Sequence, residues 1–361
     1  MRKFDYFLFE NFDADEVAQH PANPRSFLNA KADSILDLAA QGEEISASKL
    51  LDQLKESGVL RSNGNHFFFD CPIFLKEDVT ALARDLPLRI KPVIDSLSAS
   101  LSDIYAACRN IRNGFSVQMN LYHILCGMIF DGAFFDFLSE KKALATSRIH
   151  PSGLDYLVVI YEKCEELATF SNYLLCSYNR FCNQHCSLQT FGDSFGNRSD
   201  FYRFFRLLEQ NKLPASHEPL QTLIQTTSLN KDIILAETAE WLHGKPCSSS
   251  VMHLLEAFGY AVNGKPAVPV FKPEHRPIIA QIEKNIEQLL GHSIEETLHE
   301  LSSTLNITAV RQGVNQLEIA NELYHLVFGC INEELVCRGI VASPPLIPNE
   351  GRYFRCIELY E

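Results

Sequence analysis

The fold this sequence predicts is mainly α with short β-hairpins, an α+β chain built from two diverged tandem copies of one unit, and three observations predict it. Apolar residues recur at helical spacing over most of the chain. Asn-Gly, the dipeptide best suited to two-residue hairpin turns, occurs between short β-prone runs at Asn63-Gly64 and again at Asn263-Gly264. A co-linear series of local matches relates the two halves at an offset of about 200 residues.

In chain order, Phe4 to Glu10 is short and aromatic and reads as a strand. A loop with Asn11, Asp13, Pro21 and Pro24 follows. From Ser26 to Ala40, Leu28, Ile35, Leu38 and Ala39 mark a helix that Gly42 stops. Ser46 or Ser48 opens a second helix with Leu50, Leu51 and Leu54 on one face, ending at Gly58. Val59 to Ser62 and Asn65 to Phe69 then flank Asn63-Gly64 as a hairpin, which leads into Pro72-Ile73-Phe74 and a helix from Lys76. Further helices are expected over Pro92 to Cys108 and Ser116 to Leu138. Beyond Pro151 and Gly153, Leu154 to Cys186 fits either period: Leu154, Leu157, Val158, Tyr161 and Cys164 have helical spacing, while Val158-Val159-Ile160 suits a strand. Helix is favoured for its later part. Phe191 to Ser199 reads as a loop, and Asp200 as the cap of an aromatic helix from Phe201 to Leu208.

The matches between halves keep one order. Leu28-Asn29 with Lys31 answers Leu229-Asn230-Lys231, Gly42 answers Gly244, and Gly58 answers Gly259. Pro72-Ile73-Phe74 answers Pro269-Val270-Phe271. Leu121-Tyr122-His123 with Gly127 answers Leu323-Tyr324-His325 with Gly329, and Tyr161-Glu162 answers Tyr360-Glu361. The expected division is 1–27 as a strand and loop, 28–162 as copy one, 163–228 as a helical connector and 229–361 as copy two. The first strand and a closing strand near Tyr353 to Tyr360 are expected to pair.

Within each copy, helix–helix–hairpin–helix resembles a winged helix at fold level, the hairpin being the wing. That resemblance raises a DNA-binding transcription regulator as one alternative. The chain argues against it. Its net charge is −13, and the candidate recognition helix sets Lys49, Gln53 and Lys55 against Asp52 and Glu56, while its counterpart offers His253 against Glu256. Nucleic acid is therefore an unlikely partner by charge.

At 361 residues, with 46% hydrophobic and 21% charged residues, the chain has the composition of a globular protein with a sizeable core. Eleven scattered Cys residues without a tight framework point to reduced thiols, and so to the cytoplasm. Met1 to Tyr6 lacks the apolar core of a signal peptide. The apolar stretch Leu121 to Phe135 contains His123 and Asp131 and is shorter than a bilayer span, so no membrane role is expected.

Two constellations invite chemistry. His123 and His325, each after a Tyr (Tyr122, Tyr324) and four residues before a Gly, are candidate ligand-binding groups, weighed against buried imidazoles bonded to backbone carbonyls. Cys176, Cys182, His185 and Cys186 carry zinc-type donors, and on a helix Cys182 and Cys186 would share a face. A second Cys-x-x-Cys knuckle is missing, which disfavours metal there, and an enzyme centred on this region is the other alternative. Gly192-Asp193-Ser194-Phe195-Gly196 has its last Gly at the wrong offset for a nucleophile elbow. No cofactor is expected. The reading that results is a cytoplasmic binding or regulatory protein, engaging a protein, peptide or small ligand in a groove between copies.

Overall fold

The computed structural model describes residues 1–10, 20, 22–194 and 197–361, and the expected loop residues Asn11, Asp13 and Pro21 lie outside them. The chain is about 53% helical with several small sheets. Strand β1 (Phe4–Glu10) turns Phe4, Tyr6 and Leu8 toward a core that also takes Leu36, Ala39, Leu51 and Leu54. Those four lie on helices α1 (Asp33–Gln41) and α2 (Lys49–Glu56). Gly42 ends α1 with a φ of 71°, and the Ser48 hydroxyl accepts the Leu51 amide at 3.2 Å to start α2. Strands β2 (Leu60–Asn63), β3 (His66–Phe69) and β4 (Ile73–Phe74) follow, then α3 (Lys76–Arg89), whose Asp78 carboxylate accepts the Leu75 amide at 2.9 Å.

Helices α4 (Lys91–Ala99), α5 (Leu101–Cys108) and α6 (Val117–Leu121) come next. The last continues as a π-helix over Tyr122–Ala133 and ends as α7 (Phe134–Glu140). This run, Val117–Glu140, is long and apolar enough by length and composition to cross a membrane, but 61% of its apolar window is buried in protein, as in a core helix. Then come β5 (Tyr156–Glu162), α8 (Glu165–Tyr173), β6 (Leu175–Cys182), β7 (Cys186–Asp193), α9 (Phe201–Glu209), α10 (Glu218–Thr227), α11 (Lys231–Leu242) and α12 (Ser249–Ala257). The remainder is β8 (Ala261–Val262), β9 (Lys265–Pro266), β10 (Val270–Phe271), α13 (Arg276–Thr304), α14 (Thr308–Arg311), α15 (Gln316–Cys337), β11 (Leu346–Ile347) and β12 (Gly351–Leu359). Asp200 caps α9 as its position suggests, accepting the Arg203 amide at 2.7 Å.

The chain forms two compact units, neither of which follows a chain half. The first gathers Met1–Ile94, Phe134–Ser171 and Leu290–Cys330; the second gathers Asp95–Ala133, Asn172–Leu289 and Ile331–Glu361. In the first unit the sheet order is β1-β5-β4, with β1 antiparallel and β4 parallel to the central β5. In the second it is β10-β12-β7-β6, with β10 parallel and β7 antiparallel to β12. The Ile160 amide donates to the Pro72 carbonyl at 3.0 Å, and the Ile357 amide to the Pro269 carbonyl at 2.9 Å.

Several expectations are corrected. The first strand pairs with β5, not with the closing strand, because β5 supplies a full antiparallel ladder from Phe4↔Glu162 to Glu10↔Tyr156. Ile160 and Ile357 make like backbone bonds, whereas the expected match sets Tyr161-Glu162 against Tyr360-Glu361. The segment 163–228 is not a helical connector, since β6 and β7 form its middle. All eight residues of β7 are buried, and the polar ones conceal its strand character: Ser187, Gln189 and Thr190 are at most 1% exposed. Two of them find partners, Gln189 donating to Glu358 on β12 at 3.0 Å and Thr190 to the helix-capping Asp200 at 2.9 Å.

The hairpins also differ. Val262 pairs with Lys265, leaving Asn263-Gly264 as the two-residue loop, both with positive φ (51° and 70°) as a type I′ turn requires. In the first hairpin Asn63 pairs with His66, so the loop is Gly64-Asn65, one residue later than expected. Gly64 alone has a positive φ there, 62°, which is the pattern of a type II′ turn.

Candidate functional site

The first unit concentrates polar chemistry on one face of α15. Glu318, Glu322 and His325 recur at i, i+4 and i+7, so one turn follows another along that face. Strand alternation turns Tyr156, Val158 and Ile160 into the aliphatic core and leaves Tyr161 on the other face of β5. There Tyr161 stacks on Phe74 with ring centroids 4.8 Å apart, and its hydroxyl donates to Glu322 Oε1. His325 Nδ1 lies 3.1 Å from the Asn321 carbonyl, which can only accept, so this nitrogen carries the proton. The same nitrogen is 3.9 Å from Glu322 Oε2. Phe9 stacks on the imidazole at 4.8 Å and Phe135 approaches it at 4.7 Å.

Burial sets the protonation states. It pushes the Glu322 carboxyl up to about 7, against the opposing Tyr161 hydrogen bond. It depresses His325 to about 4, against the Asn321 carbonyl. Near neutrality the carboxyl therefore exchanges its proton while the imidazole stays neutral.

One turn earlier, Arg148 joins two carboxylates. Its Nη2 is 2.6 Å from Asp70 Oδ2 and its Nη1 is 3.2 Å from Glu318 Oε2, with a further bond of 2.7 Å to the Asp70 carbonyl. Burial raises Glu318, and Arg148 opposes that shift. Gly58 makes room for the guanidinium: a Cβ there would stand 2.9 Å from it, and the φ of 67° independently favours glycine.

The four aromatic and imidazole residues expected as ligand groups divide between the units. Tyr324 and His325 are in the first, with the Tyr324 ring edge-on to Phe135 at 4.7 Å. In the second, Tyr122 is fully buried and donates to the Phe191 carbonyl at 3.0 Å. His123 is 1% exposed, ringed by Tyr122, Phe271 and Phe354, and neither ring nitrogen has a hydrogen-bond partner. Burial lowers it to about 3. Glu322 and Tyr161 were missed in the sequence, although Glu322 stands three residues before His325 and helical spacing alone places them together.

The region from Cys176 to Cys186 is built from strands. Cys182 and Cys186 lie on consecutive strands at either end of a hairpin turn, not on one helix. The Cys186 thiol donates to the Leu235 carbonyl at 3.2 Å, and burial pushes it up to about 12, so it stays a thiol. Cys176 is on β6, and His185 is 3.8 Å from the Glu361 carboxylate. Among the described residues no three His, Cys, Asp or Glu side chains are grouped to hold a metal.

An open depression of about 560 Å³ in the first unit is lined by Met1, Arg2, Lys3, Asp37, Gln41, Glu162 and Lys163. Arg2 is held between Asp37 at 3.0 Å and Glu162 at 3.4 Å. Lys3 and Lys163 are half exposed, paired with Asp33 at 3.5 Å and Asp5 at 2.8 Å. The chain matches no family model, no curated protein and no solved structure.

Proposed function

We propose that this chain is a cytoplasmic binding protein, made of two diverged copies of one unit, that takes an acidic peptide or a small carboxylate ligand at the depression lined by Arg2, Lys3 and Lys163. The observation that carries the reading is where the charges lie. The displaced ionisable groups, Glu322, His325 and His123, are buried (His325 nearly so), the two imidazoles against aromatic rings, whereas the polar groups that converge around an open volume are ion-paired side chains. Exposed pairs such as Lys163–Asp5 contribute little to stability, so they exchange readily for a ligand carboxylate. Eleven free thiols support a reducing compartment.

Matching backbone bonds support the duplication. Pro72–Ile160 and Pro269–Ile357 are one such pair; Ala145 N to Leu317 O at 2.9 Å and Ala342 N to Gln118 O at 3.0 Å are another. The winged-helix likeness is carried by helix–helix–hairpin order alone, α1-α2-β2-β3 and α11-α12-β8-β9. To test the binding reading, the full chain is titrated with acidic peptides, basic peptides and small dicarboxylates, following thermal midpoint and affinity. Acidic ligands are expected to bind, and Lys163→Glu to weaken them about tenfold, the loss of one charge-assisted contact. Binding that favours basic peptides, or that ignores Lys163→Glu, overturns it.

A further inference from the structure

We propose that Tyr161, Glu322 and His325 form a proton-operated latch in the first unit, closed onto Phe9 when Glu322 carries a proton and released when that proton leaves to solvent. The geometry supplies each part. Tyr161 gives the carboxyl one donor, at Oε1. Oε2 faces His325 Nδ1 at 3.9 Å, but that nitrogen already serves the Asn321 carbonyl at 3.1 Å. The imidazole is in turn the surface on which Phe9 and Phe135 rest. A neutral carboxyl suits this enclosure, and an ionised one does not.

Among the described side chains, the charged groups on neighbouring elements are engaged elsewhere or exposed. On β5, Glu162 binds Arg2 at 3.4 Å and accepts the Lys76 amide at 3.0 Å. On α15, Glu318 is held by Arg148 at 3.2 Å. On β1, Asp5 pairs with Lys163 at 2.8 Å, and on α7, Asp136 is exposed. β4 contributes only Ile73 and Phe74. Among the described residues, His325 is thus the cation-capable group beside Glu322. His325, depressed by burial, stays neutral, so loss of the Glu322 proton to solvent leaves the carboxylate charge with one hydrogen bond, and this loosens the end of β1 as pH rises.

The sign follows from the direction of the shift. A carboxyl raised to about 7 by burial favours the closed state fully in acid, and that preference disappears as pH rises through 7. The readout is protection of the β1 amides by hydrogen exchange, corrected for intrinsic rate, between pH 5.5 and 8.5 in the full chain. Because it measures β1 and not ligand, it stands apart from the binding reading. Wild type should lose protection by up to tenfold per pH unit as pH rises toward the midpoint, the limit for one linked proton, and level off above it. Glu322→Gln should make protection independent of pH. Tyr161→Phe should move the midpoint upward, because the hydroxyl stabilises the ionised form. Unchanged pH dependence in Glu322→Gln, or an unmoved midpoint in Tyr161→Phe, overturns the latch. Should Glu322→Gln fail to fold, Tyr161→Phe and a carboxyl-carbon NMR titration of Glu322 decide, and a Glu322 midpoint below 5.5 rejects it.

Discussion

The two units bury polar side chains among aromatic rings in opposite ways. In the first, Glu322 and His325 each have a partner, the Tyr161 hydroxyl and the Asn321 carbonyl, and two phenylalanines cover the imidazole. In the second, His123 sits among Tyr122, Phe271 and Phe354 with both nitrogens unpaired. The helices that carry them differ as well: α15 is regular, and His123 lies in the π-helical run. The contrast teaches that a partner, and not burial alone, decides whether an enclosed ionisable group is a structural asset. Both units also hold an arginine between two carboxylates, Arg148 with Asp70 and Glu318, and Arg352 with Asp193 at 3.7 Å and Glu333 at 2.6 Å.

The largest expected effect tests whether those arginine clusters are equivalent. Arg148→Ala and Arg352→Ala each strand a buried carboxylate, and each should cost about 3 kcal/mol in urea unfolding. A cost confined to Arg148 would show that the second cluster is only a surface pairing. The imidazoles come next. His123→Leu removes an unpaired polar group and should be neutral or stabilise by about 1 kcal/mol at pH 7, whereas His325→Leu should cost about 1 kcal/mol. Equal costs would erase the distinction between the units.

Both imidazoles are depressed by burial and so act in the same direction with pH. A histidine depressed by burial contributes stability that is present above its ordinary range and lost as pH falls toward the folded value, about 3 for His123. His123→Leu should therefore flatten the acid limb of the stability profile, which thermal melts between pH 7 and 4 would show. The smallest effect compares the hairpins. Asn263→Ala forces a β-carbon residue without a compensating amide into positive φ and should cost about 0.5–1 kcal/mol, while Asn63→Ala, outside the turn, should cost close to zero. Guanidinium midpoints for the two variants check this, and equal losses would place both asparagines in equivalent turns.

Part of the site was legible before the fold was known. His325 and Glu322 are three apart in a strongly periodic segment, which makes them neighbours on any helix. Tyr161 was not legible as their partner, because it comes from a strand far away in the chain and its own segment fits two periods. The Cys182–Cys186 spacing misled for the same reason: four residues mean one face on a helix, but here they span a turn between strands. In β7, buried Ser187, Gln189 and Thr190 broke the apolar pattern that a central strand normally shows, and the partners of Gln189 and Thr190 come from β12 and the Asp200 cap.

Local chemistry by itself determined the helix ends at Gly42 and Gly58, the caps at Ser48 and Asp200, the hairpin turn at Asn263-Gly264 and the apolar faces of α1, α2 and α12. Each of these depends on a few adjacent residues and on backbone angles that only certain side chains tolerate. Tertiary structure alone decided the assembly of each unit from three separate segments, the ladder between β1 and β5, and the meeting of Tyr161 with Glu322. Those depend on contacts between distant parts of the chain, where a side chain's hydrogen-bond partner and its desolvation are set by the surrounding fold and not by its neighbours in sequence.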